Sequence, residues 1–84
     1  MTKFIYSNFI PDEVKFFTAG KRYEIIERVN DYKDGKEYQV FVTGDDDVKH
    51  GPINVGWPCA YLDEKLWSVE EKEKVSLDIP QPND

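Results

Sequence analysis

The chain has 84 residues, enough for one small domain and too few for a second, and its single cysteine excludes an internal disulfide. Hydrophobic residues make up 39% and aromatic residues 14% of the chain, so an aromatic-rich core can compensate for the small size. The formal net charge of −6 is repelled by phosphate groups, which argues against direct DNA or RNA binding.

The first predicted element lies within residues 1–15, around the apolar stretch KFIYSNF. Charged residues and Pro11 interrupt this segment, so it fits neither a signal peptide nor a membrane helix. We therefore expect a cytoplasmic protein without membrane attachment. The stretch is apolar enough to add an edge strand that ends at Pro11, or it packs as irregular structure.

A β-hairpin is predicted next, from the strands RYEIIERV (22–29) and EYQVFVT (37–43), which are rich in β-branched and aromatic residues. Between them, Asp34-Gly35 tolerates the positive φ angles that a tight turn requires. Alternation with period two places Tyr23, Ile25, Val29 and Tyr38, Val40, Val42 on the core faces, with Ile26 and Phe41 pointing away.

The remaining elements are a loop, two strands and a tail. GDDDVKHG (44–51) is too charged to bury and is typical of a connecting loop. PINVGW follows as a strand with Ile53, Val55 and Trp57 on one side, and Pro58 stops it. CAYL predicts one turn of tight helix, and KLWSV (65–69) predicts the last strand. We thus expect one β-barrel domain over residues 1–69 and a flexible acidic tail over residues 70–84.

Two segments carry a family resemblance. FTAGKRYEIIERVND resembles the part of a Src homology 3 domain in which a core phenylalanine and a glycine lead into an apolar strand. GWPCAYL resembles the closing glycine, apolar residue, proline, small turn and tyrosine of the same family. The resemblance implies an all-β fold: a small five-stranded antiparallel barrel with a 3₁₀ turn before the last strand.

The resemblance also implies positions for a binding surface. Pro58 and Tyr61 fall where the family lines its peptide groove, and Tyr38 falls near the place of the groove tryptophan. The segment TAGKR is basic where the family carries an acidic loop, so the usual polyproline mode is not implied. The order of motifs is also similar to that of small uncharacterised bacteriophage proteins.

The aromatic residues of this surface are the first candidates for function. Tryptophan and tyrosine dominate both small cores and interface hot spots, so they indicate either buried packing or a protein contact. As partner-binding residues we predict Trp57, Pro58, Tyr61 and Tyr38. An alternative acidic face, formed by Asp45, Asp46, Asp47, Asp63 and Glu64, would instead imitate nucleic-acid phosphates.

The sequence gives little support for catalysis or for metal binding. Cys59 has one histidine, His50, nine positions away with no pattern that orients the two, so no nucleophile is predicted. The three aspartates at 45–47 lack the alternate spacing and distal glutamate of a calcium loop. Neither a metal nor a cofactor is expected.

The sequence therefore predicts a non-enzymatic protein-interaction domain. Encoded by a bacteriophage and acting in the host cytoplasm, it would bind and modulate a host or viral protein. The alternative is an acidic mimic that inhibits a nucleic-acid-binding protein.

Overall fold

The computed structural model describes residues 2–72 and contains two small antiparallel sheets. The strands are β1 (Thr2–Tyr6), β2 (Tyr23–Glu24), β3 (Glu27–Tyr32), β4 (Glu37–Thr43), β5 (Lys49–Val55) and β6 (Ser68–Lys72). Sheet A has the order β2-β1-β6 and sheet B the order β3-β4-β5. The all-β prediction is confirmed. The described strands number six in two sheets, rather than five closed into one barrel.

The hairpin prediction is confirmed, because β3 and β4 pair antiparallel around residues 33–36. Lys33, Asp34 and Gly35 adopt φ angles of 49°, 57° and 84°, so three successive residues occupy the left-handed region. Glycine and aspartate tolerate that region better than most residues do. The Asp34-Gly35 pair thus supplies the turn chemistry that reverses the chain.

The strand predicted over 22–29 is interrupted at Ile25 and Ile26, where the backbone changes sheets. The Ile25 N–H donates to the Lys3 carbonyl of β1 (3.0 Å), whereas the Ile26 N–H donates to the Phe41 carbonyl of β4 (2.9 Å). The bend leaves the Ile25 side chain against the core and Ile26 51% exposed. Val29 lies outside the core cluster, because it shares the outer face of sheet B with Gln39.

The N-terminal segment forms β1, which is the central strand of sheet A. The expectation of an edge strand is wrong, because Ile5 pairs with Tyr23 on one side and with Val69 on the other. Ile5 is fully buried as a result. Strand β6 continues to Lys72, past the predicted start of the tail at Glu70; residues 73–84 of the tail lie outside the described part of the chain.

Strand β5 begins at Lys49, so the predicted loop 44–51 is shorter than expected. A Cβ atom at Gly51 would lie 2.6 Å from the Phe41 ring and 2.7 Å from the Val40 carbonyl oxygen, which explains a glycine inside the strand. Strand β5 ends at Val55, so Trp57 lies beyond it. The predicted 3₁₀ turn is confirmed at Ala60–Leu62, before β6.

The core lies between the two sheets and is rich in aromatic rings. The Phe17 ring stands edge-on to Tyr23 and Trp67, with centroids 5.0 Å and 5.2 Å away. The buried hydrophobic residues are Ile5, Phe17, Tyr23, Tyr38, Val40, Val42, Ile53, Val55, Cys59, Leu62 and Trp67. Within residues 2–72, no helix has the length and apolar character needed to cross a bilayer.

Candidate interaction surface

A pair of aromatic rings, Tyr32 and Trp57, stands on the surface where β3 and β5 end. Their ring centroids are 5.5 Å apart with an interplanar angle of 73°, which is an edge-to-face contact. Tyr32 is 48% exposed, Trp57 is half-buried and the adjacent Pro58 is exposed. We call Tyr32, Trp57 and Pro58 the contact patch.

Gly56 allows the chain to turn into this patch. It adopts a φ of +96°, and a Cβ atom there would overlap the Lys36 carbonyl oxygen next to the hairpin turn. Both requirements favour glycine, because only glycine lacks a Cβ. The close approach places the Trp57 turn beside the end of β3 that carries Tyr32.

Several other aromatic rings of the chain are covered by its own basic side chains. The Arg22 guanidinium lies 3.6 Å from the centroid of Tyr6, Lys49 Nζ lies 4.8 Å from that of Phe41, and Lys65 Nζ lies 4.7 Å from that of Phe9. In the part of the chain that the structure describes, no such cation covers Tyr32 or Trp57. Their outer surface therefore stays apolar and accessible.

Tyr38 does not belong to this surface, which corrects the sequence prediction. It is only 7% exposed, and the Arg28 guanidinium covers its ring at 3.7 Å from the centroid. Tyr38 is buried because successive side chains along β4 point to opposite faces of the sheet. This alternation turns Tyr38 inward together with Val40 and Val42. A partner could not reach Tyr38 without displacing Arg28.

Tyr61 is half-buried and lies beside a small pocket rather than in the aromatic pair. Its ring stands edge-on to Phe16 and Phe17, at centroid distances of 5.7 Å and 6.1 Å. The pocket has a volume of about 160 Å³ and is lined by Pro52, Asn54, Cys59, Ala60 and Tyr61. It adjoins the contact patch through Asn54, whose Nδ2 donates to the Pro58 carbonyl oxygen (2.9 Å).

Asp45, the first residue of the predicted acidic face, is engaged inside the chain. It accepts hydrogen bonds from Lys21 Nζ and Thr18 Oγ1, both at 2.6 Å, and from the Tyr23 hydroxyl at 3.1 Å. The bonds from Lys21 and then Thr18 hold the pKa of Asp45 below its usual range. Burial raises the pKa of Tyr23. Asp45 thus fastens residues 18–23 to the β4–β5 loop.

Asp46 also contacts a neighbouring side chain, although all five residues of the predicted acidic face are exposed. The His50 Nε2 lies 3.0 Å from both carboxylate oxygens of Asp46. Desolvation acts to raise the pKa of Asp46, but the hydrogen bonds from His50 and the Val48 N–H outweigh it, and the pKa is lowered. Two of the five predicted members of the acidic face, Asp45 and Asp46, are thus engaged within the chain while remaining exposed.

Cys59 and His50 have different surroundings in the structure. Cys59 is buried, and the pocket that it lines contains no histidine. The His50 ring stacks on Phe16 with a centroid distance of 3.9 Å and an angle of 7°. Among residues 2–72, no group of three or more His, Cys, Asp or Glu side chains is arranged to hold a metal ion.

Sequence reasoning missed Tyr32, which completes the contact patch. Its position at the last residue before the hairpin turn was the available signal, since a tyrosine at the end of a strand lies at the edge of the sheet face. Comparison with known proteins adds no relative to these findings: no family model, no curated protein and no solved structure matches the chain.

Proposed function

We propose that this chain is a non-enzymatic protein-interaction domain that binds its partner through Tyr32, Trp57 and Pro58. The observation that carries the proposal is the exposed edge-to-face pair of Tyr32 and Trp57 without a covering cation. Tryptophan and tyrosine are the residues most enriched at interface hot spots. Following the resemblance to small bacteriophage proteins, the proposed partner is a host or viral protein.

We further propose that the two sheets form a barrel of the Src homology 3 kind. Only Ile25 and Ile26 separate β2 from β3, and their N–H groups bond to different sheets. If β2 and β3 are one bent strand that serves both sheets, residues 2–72 contain five strands, and a 3₁₀ turn precedes the last of these. Bent strands of this kind form the corners of orthogonally packed sheets.

The test compares three forms of the chain as bait: wild type, Trp57→Ala and Phe9→Ala. Phe9 is a matched control, because it is 40% exposed but covered by Lys65. A protein captured from candidate host lysate is identified, purified and titrated against each form. Loss of a hot-spot tryptophan should weaken binding by roughly 30-fold or more. Equal affinities of the two variants would refute the contact patch.

The salt dependence of partner binding separates this proposal from the acidic-mimic alternative. Asp63 and Glu64 favour that alternative, because both are exposed and adjacent. Binding through aromatic rings should change little between low and high salt, whereas binding through carboxylates should fall steeply. A partner lost at high salt and lost with Asp63→Asn/Glu64→Gln, but retained by Trp57→Ala, would support mimicry.

A further inference from the structure

Three side-chain amides form a hydrogen-bonded row across sheet B. Asn30 Nδ2 donates to Gln39 Oε1 (2.8 Å), Gln39 Nε2 donates to Asn54 Oδ1 (2.9 Å), and Asn54 Nδ2 donates to the Pro58 carbonyl oxygen (2.9 Å). Gln39 and Asn54 are register partners and alternate with buried neighbours on β4 and β5, so they lie on the face away from the core. We call Asn30, Gln39 and Asn54 the amide row.

The two ends of the row lie next to the two rings of the contact patch. Asn30 stands two positions before Tyr32, at a φ of 54° and within the register shift between Val29 and Tyr32. Asparagine tolerates that left-handed conformation better than most residues. At the other end, the acceptor belongs to Pro58, which follows Trp57 directly.

The last bond of the row differs from the first two, because it leaves the sheet. Between strands, paired amides are an ordinary way to stabilise a sheet surface. The Asn54 bond instead reaches the turn 56–58, and within residues 2–72 we find no second hydrogen bond to that turn. Asn54 is therefore the polar link between sheet B and the backbone that carries Trp57.

We propose that the amide row holds Trp57 in its edge-to-face position against Tyr32, so that the contact patch is ordered before a partner arrives. Asn54 is the principal positioning residue, and Gln39 and Asn30 fix the orientation of its amide. The row has this purpose only if the proposed function is correct, but its effect on Trp57 is a property of the free chain. If the Trp57 side chain were mobile in the free chain, it would have to be ordered on binding. This cost would weaken the affinity for the partner by roughly 2- to 10-fold.

The test is Asn54→Asp, which keeps the oxygen that accepts from Gln39 and removes the N–H that Pro58 needs. The indole N–H groups of Trp57 and Trp67 give two signals in ¹⁵N-labelled protein, and Trp57→Phe assigns them. In the wild type both indoles should have order parameters near the rigid value of roughly 0.85, and in Asn54→Asp that of Trp57 alone should fall toward about 0.6 or below. Buried Trp67 reports whether the fold is intact.

Asn8→Asp is the matched control, because it adds the same charge at an exposed asparagine outside the row. Gln39→Leu provides a second variant if Asn54→Asp does not fold; it removes two bonds of the row and should loosen Trp57 in the same direction by a smaller amount. An unchanged Trp57 signal in the folded variants would overturn the proposal. This measurement needs no partner, so its failure is distinct from failure of Trp57→Ala to weaken binding.

Discussion

Gly56→Ala should be one of the most damaging small substitutions in the chain. Gly56 combines a φ of +96° with a close approach to the Lys36 carbonyl oxygen. A left-handed non-glycine residue costs about 1–2 kcal/mol. The smaller conformational entropy of the unfolded alanine variant offsets about 0.4–1 kcal/mol of that cost. Forcing the backbone apart costs a further 1–3 kcal/mol or so. We expect a net loss of about 2–4 kcal/mol.

Gly35→Ala is the control that isolates the backbone contact. Its φ is +84°, but the nearest atom to an added Cβ is the flexible Arg28 Nη2 at 3.6 Å. It should therefore lose only about 1 kcal/mol. Urea and thermal unfolding, followed by circular dichroism, measure both variants. In a domain of this size the Gly56 variant should melt roughly 10–25 °C lower than wild type. Equal losses in the two variants would refute the argument from the Lys36 contact.

Three further predictions concern burial and charge. Ile53→Ala should lower the free energy of unfolding by about 2–5 kcal/mol, because Ile53 is fully buried. In the same urea titration, Ile26→Ala should change it by no more than about 0.5 kcal/mol, because the Ile26 side chain is 51% exposed. Tyr38→Ala should lower the melting temperature strongly; a weakened partner affinity with unchanged melting would contradict its place in the core. The lowered pKa of Asp45 adds stability that is present above its unfolded pKa and is lost as pH falls through the folded value, so Asp45→Asn should flatten the loss of stability below about pH 4. A retained acid slope would contradict this.

The hairpin and the 3₁₀ turn could be predicted from sequence because their determinants are local. Asp34-Gly35 supplies the left-handed residues, and Pro58 ends the extended chain before the turn at Ala60–Leu62. Alternation likewise placed Tyr38 on the core face, and this local pattern was a better guide than the family resemblance that assigned it to a groove. Local residue chemistry therefore accounts for most of sheet B.

Features that depend on distant pairing could not be predicted in the same way. The bend at Ile25 and Ile26 requires β1 and β4 as alternative partners, and nothing in the stretch EIIE marks which residue changes sheets. Tyr32 and Trp57 are 25 positions apart, so their contact follows from the fold and not from a motif. The candidate site was therefore only partly visible before the strands were assembled.

The pairing of β1 with β6 has a consequence for synthesis. Thr2 aligns with Lys72, so β1 gains its longest partner only after about seventy further residues have emerged from the ribosome. Sheet B closes through neighbouring segments and can assemble earlier. Until then β1 lacks one of its two neighbouring strands, so we expect the apolar surface around Ile5 to be exposed to chaperones or to other nascent chains.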